Sequence, residues 1–167
     1  AADKLITDSA AGATAISTGH RTNYYYVGTD INGEPLQTLM EYAEEIGKST
    51  GVVATSSVTH ATPAAFLAHV SNRKEENTIA EHFLDREVDV VIGGGLKFFL
   101  PGEKGGSRTD GKDLTEEIKS KGYDLLTDLN SFLEKSSSTT FEYFSVSYWF
   151  LCVIPNECEE ALNHGSS

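Results

Sequence analysis

Ser9 is the first residue whose setting suggests chemistry. It lies in Leu5-Ile6-Thr7-Asp8-Ser9-Ala10-Ala11-Gly12-Ala13-Thr14-Ala15, a stretch that reads as a strand end running into a helix. Leu5-Ile6 is apolar and β-compatible, and Asp8 or Ser9 suits the helix N-cap. A serine on the first turn has its hydroxyl beside unpaired backbone N–H groups and the positive end of the helix dipole. That is a natural seat for an anion such as phosphate. The Ala and Gly that follow let the helix lie close against a neighbour. By itself Asp-Ser-Ala is an ordinary helix start, because Ser and Asp cap helices routinely.

Three segments in order carry more information than one. Thr7 to Ala15, followed by Ser17-Thr18-Gly19 and Gly28-Thr29-Asp30, resembles the nucleophile segment of the alkaline phosphatases. Thr59-His60-Ala61-Thr62-Pro63-Ala64 and Ala68-His69-Val70-Ser71-Asn72-Arg73 are similar to that family's metal and phosphate-arginine segments. They stand in the family's order, and the resemblance extends over roughly residues 5–130. It implies hydrolysis of phosphate monoesters through a phosphoserine intermediate. Ser9 matches the nucleophile and a zinc ligand, and zinc coordination lowers the effective pKa of the hydroxyl. Arg73 matches the arginine whose planar fork holds two phosphate oxygens, and Asp8 the carboxylate that orients it. Thr62 matches a hydroxyl ligand of a third metal, normally magnesium. His60 stands where family members carry Asp or His beside that metal. Imidazole suits zinc or cobalt better than magnesium, so the third metal's identity stays open. Taken alone, His60 reads as a structural histidine and Arg73 as a solvated charge. His69 reads as structural, and His20, His82 and His164 show no metal spacing.

The chain also departs from the family pattern. The two-zinc site of the family draws on an aspartate from a strand before the nucleophile and on Asp, His and Glu from the C-terminal half. No His-rich or Asp-x-x-x-His pattern follows Thr62. The sequence opens at Ala1 almost directly on the nucleophile segment, so a fragment, inactive alone, is expected. Two other readings stand beside it: a non-catalytic phosphate-binding module, and a truncated product without function. The resemblance implies a periplasmic or extracellular site of action, and family members are often homodimers.

The net charge of −12 argues against nucleic acid or an anionic membrane as a stable partner, since both require excess Lys and Arg. An acidic protein that handles phosphate esters must neutralise its own site with metal or a placed arginine. No stretch of the sequence as given reads as a signal peptide or membrane span: the apolar, uncharged run over residues 143–155 falls short of the ~20 residues a bilayer needs. Cys152 and Cys158 are too few to fix a redox compartment.

The elements that must position these residues alternate between helix and strand, which predicts an α/β fold with a mainly parallel sheet covered by helices, incomplete relative to the family. The turn Asp30-Ile31-Asn32-Gly33 precedes a helix from Pro35 to Ile46, with Leu36, Leu39, Met40, Ala43 and Ile46 on one face and Gly47 ending it. A buried strand is expected at Val52-Val53-Ala54, a short helix from Pro63 to Val70 with Pro at its first position, and a helix from Asn77 to Leu84. A strand from Val88 to Ile92 leads into Gly93-Gly94-Gly95. That triplet lacks GxGxxG spacing and reads as a close backbone approach. Gly47-Lys48-Ser49 fails as a P-loop because Tyr42 occupies the position of its first glycine. Residues 102–112 read as a charged surface loop, Asp113 to Lys121 as an amphipathic helix carrying Leu114 and Ile118, and Tyr123 to Leu126 as a strand. Residues 1–135 form the family-like core. Residues 136–167 form a divergent tail, with a polar linker at 136–140 and an aromatic-rich stretch from Phe141 to Ile154.

Overall fold

The computed structural model describes residues 1–86, 88–128, 130–132 and 151–155, the last for their backbone. The expected linker, the aromatic stretch up to residue 150, Cys158 and His164 lie outside the described residues. Among the described residues, helices α1 (Ser9–Thr18), α2 (Leu39–Glu45), α3 (Ala61–Ala64), α4 (Glu76–His82) and α5 (Leu114–Ser120) are interspersed with strands β1 (Gly51–Ser57), β2 (Val90–Gly94), β3 (Tyr123–Leu126) and β4 (Leu151–Pro155). The sheet order is β1-β2-β4-β3. β1 and β2 are parallel, and β4 runs antiparallel to both of its neighbours. Three of the four strands therefore point the same way, and the fold is α/β.

α1 begins where its sequence dictates. The Asp8 carboxylate caps it by accepting from the Ala11 N–H at 3.0 Å, and Gly19 ends it in the left-handed region at φ 75. The small residues Ala10, Ala13, Thr14 and Ser17 face α3, where Ala61, Ala64 and Ala65 are fully buried. Ser17 donates to the Ala65 carbonyl at 2.6 Å, which fixes the close approach. Thr14 accepts from the Gly28 N–H at 2.9 Å. Gly28 has φ 61, and a Cβ there would lie 2.1 Å from the Ala68 carbonyl oxygen, so only glycine fits. The core continues through Val27, Val58, Leu67, Ile79, Leu96, Phe99, Leu114 and Ile118.

Several boundaries differ from the sequence reading. Leu5-Ile6 is not a strand; both side chains are exposed, and a strand needs a partner for its backbone groups. α2 starts at Leu39 instead of Pro35, because Thr38 and Glu41 form a reciprocal capping box while Pro35 bridges to Thr29. Its apolar face, with Leu39 and Ile46, is exposed, and so is Val53 on β1, where a buried strand was expected. α3 starts at Ala61, with Pro63 inside the first turn, where its missing N–H has no intrahelical partner to lose. The turn at Asp30, Gly47 at φ 69, α5 and β3 stand where expected. Gly93 is indeed a close approach, since a Cβ would meet Val58 Cγ1 at 2.7 Å and the Ala54 carbonyl oxygen at 2.8 Å. In the loop expected to be surface, Arg108 is buried at 3% exposure between Glu81 and Asp110.

Candidate active site

The start of α1 and the segment just past β1 bring the chemistry together. The Arg73 Nη1 group lies 3.1 Å from Asp8 Oδ2 and donates to Ser9 Oγ at 3.4 Å, joining residues more than sixty positions apart. Its second nitrogen, Nη2, is 3.0 Å from His60 Nε2. A guanidinium has only donors, so Nε2 of His60 is the acceptor in this contact. His60 itself is placed by its N–H bond to the Ser57 carbonyl at 3.0 Å, immediately past the C-terminal end of β1. It forms the N-cap of α3, and Thr62 stands exposed in the first turn of that helix. Behind this turn Thr59, fully buried, donates to Glu76 Oε2 of α4 at 2.6 Å.

The electrostatics follow from these contacts. Burial raises the Asp8 carboxyl pKa, but bonds from the Ala11 N–H, the Arg73 guanidinium and the Tyr25 N–H, together with the Arg73 charge, outweigh it. The carboxyl is held below the usual range and stays ionised. Asp8 thus neutralises Arg73 while capping α1. Ser9 is exposed at the first position of that helix, its hydroxyl beside a cation and the helix N-terminus. The arrangement suits a tetrahedral anion, with Arg73 and backbone N–H groups as donors.

The residues brought together by the fold include Asp8, Ser9, His60 and Arg73, with Thr62 two positions past His60. Sequence reasoning missed the backbone of Tyr25, which contacts both Asp8 and Arg73, and Glu76, which steadies the Thr59-His60 turn. The three consecutive tyrosines were visible, but nothing in their spacing marks a left-handed residue among them. His69, read as structural, bonds the Gly28 carbonyl at 2.6 Å and Glu41 at 3.1 Å, tying α2 to the loop after α1.

The donor set does not make a metal centre by itself. It offers two hydroxyls and one imidazole whose Nε2 is already engaged by Arg73. Asp8 is committed to Arg73 and to the helix cap. Among the described residues no group of three or more His, Cys, Asp and Glu side chains is close enough to hold a metal ion.

The α/β sheet thus brings a serine, an arginine and a helix N-terminus to one place. A family model described as alkaline phosphatase matches residues 1–145, and the chain belongs to that family. Alkaline phosphatase 4 of Bacillus subtilis (strain 168) is 42% identical over 131 residues, which make up 75% of this chain and 27% of that protein. The alkaline phosphatase of Schizosaccharomyces pombe (strain 972 / ATCC 24843) is 45% identical over 141 residues, 80% of this chain and 26% of that one. The solved alkaline phosphatase of the Antarctic bacterium TAB5 matches with a TM-score of 0.68 and 39% identity, covering 73% of this chain and 34% of that chain. A variant of the TAB5 enzyme was solved with Mg bound in its M3 site. The chain spans about a quarter to a third of the length of these relatives. Among the described residues no helix is long and apolar enough to cross a membrane.

Proposed function

We propose that this chain carries the nucleophile and arginine part of an enzyme that hydrolyses phosphate monoesters. In the whole protein Ser9 Oγ forms a bond to phosphorus while the ester P–O bond breaks and the alcohol departs. Water then cleaves the phosphoserine to release inorganic phosphate. Arg73 holds two phosphate oxygens, Asp8 fixes the arginine and balances its charge, and the α1 N-terminus adds backbone donors. Zinc at Ser9, and magnesium or another ion at Thr62 and His60, would supply Lewis-acid charge stabilisation when bound with ligands from the rest of the enzyme. Residues 1–135 form the catalytic core fragment, and 136–167 a tail that contributes β4 to the sheet. Action outside the cytoplasm and assembly as a homodimer complete the proposal.

The observation that carries this reading is the Arg73 guanidinium between Asp8 and Ser9 at the head of α1. Among the described residues no three His, Cys, Asp or Glu side chains gather around a metal position, which supports a second reading for the isolated chain, a phosphate-binding module without turnover. The test is titration of the purified chain with inorganic phosphate, followed by calorimetry, together with a phosphatase assay of the whole protein. The expected result is weak binding abolished by Arg73→Ala, and hydrolysis by the whole protein abolished by Ser9→Ala. Whole-protein turnover that survives Ser9→Ala overturns the assignment.

A further inference from the structure

Tyr25 is the one non-glycine residue with positive φ among the described residues, at φ 73. A side chain in that region crowds its own backbone, which is why glycine or asparagine usually takes such positions. This tyrosine sits against the site just described. Its carbonyl accepts the Arg73 backbone N–H at 2.9 Å, and its own N–H points to Asp8 Oδ1 at 3.5 Å. One residue therefore joins the main chain of the arginine to the carboxylate that pairs with it. In this left-handed conformation both backbone groups of the one residue turn toward the pair. The ring has compensating contacts: Tyr24 lies edge-on at 4.6 Å, and the Lys74 ammonium stands 5.8 Å from the ring centre. Strained residues of this kind collect where geometry serves a site.

We infer that Tyr25 is a positioning residue, whose left-handed main chain sets Arg73 and Asp8 in register for phosphate. The inference rests on the phosphate-binding reading above, and its test separates the two. Tyr25→Gly keeps both backbone groups and adopts the conformation freely, whereas Tyr25→Val keeps the groups but resists it. Two measurements are made on the full chain: affinity for inorganic phosphate, and the side-chain ¹⁵N–¹H signals of Arg73, which report the guanidinium's pairing without any ligand. Tyr25→Gly should match wild type in both. Tyr25→Val should weaken phosphate binding about ten-fold and broaden the Arg73 signals while the melting transition stays cooperative. A folded Tyr25→Gly that loses the Arg73 signature, or a Tyr25→Val that keeps it, overturns the inference. If the Arg73 signals respond as expected while wild type binds no phosphate, the positioning role stands and the phosphate-binding reading falls.

Discussion

The α1–α3 contact and the α2–β1 face end in opposite states. Between α1 and α3 the side chains are alanines, threonines and a serine, and they disappear completely; Ala10, Thr14, Ala61, Ala64 and Ala65 are each at 0% exposure. Between α2 and β1 the side chains are larger, but Leu39, Tyr42, Ile46 and Val53 stand 54% to 62% exposed, and Leu39 and Val53 line an open groove of about 440 Å³. β1 is also an edge of the sheet. Burial follows the availability of a facing surface, and only the first region has one. The site sits on the finished region, so its geometry is set by packing that the chain supplies itself.

The sharpest way to separate an ordered site from a working one is to ask for turnover. The chain alone, in zinc and magnesium buffer at alkaline pH, should hydrolyse a chromogenic phosphate ester no faster than background. Removal of one electrostatic donor from other sites already slows catalysis by roughly 10²–10³. Zinc-dependent hydrolysis lost on Ser9→Ala would break this expectation.

Gly28→Ala attacks the finished region directly. Its Cβ would overlap the Ala68 carbonyl and cost more than about 3 kcal/mol, since overpacking and positive φ combine. Chemical denaturation should show a large loss or no cooperative transition.

Asp8→Asn is milder and depends on pH. The cap geometry survives, but the charge that Arg73 faces is gone. The folded pKa of Asp8 is lowered, so its contribution is complete above the unfolded value of about 3.9 and is lost as pH falls through the folded value. The stability gap between wild type and variant should therefore be widest above that range and close in acid, as urea melts across pH would show. A gap that widens in acid contradicts the pairing.

The smallest effect belongs to the open face. Val53→Thr with Ile46→Glu should change stability by no more than about 0.5 kcal/mol, while binding of a hydrophobic dye and the tendency to aggregate both fall. A loss of several degrees in melting temperature would show that this face is covered in solution.

Much of this was legible in sequence because it is local or because it is a pattern of several motifs. The Asp8 cap, the α1 run of small residues, α5 behind Asp113 and the strand from Tyr123 need only neighbours in sequence. The pairing of Asp8 with Arg73 came from motif resemblance, which carries long-range information that periodicity lacks. The Thr38-x-x-Glu41 box was written in the sequence too, but Pro35 drew the helix start four residues early. Arg108 looked like one more charge in a glycine-rich loop. Its burial depends on Glu81 and on the carbonyls of Asn77 and Phe98, partners some thirty and ten residues away. The left-handed Tyr25 was invisible because the groups its backbone meets, the Asp8 carboxylate and the Arg73 N–H, lie far from it in sequence.

The placement of β4 has a consequence for how the chain is made. Its backbone lies between β2 and β3, with Cys152 opposite Ile92 on one side and Leu126 on the other. The last of the described strands thus fills an interior slot of the sheet. β1 and β2 can pair as soon as both have left the ribosome, but β3 must wait for residues 151–155 before it joins a sheet. At roughly 5–20 residues per second the delay is a matter of seconds, long compared with the microseconds a local hairpin takes. During that interval the edge of β2 that β4 later covers is unpaired, and unpaired strand edges are prone to aggregation.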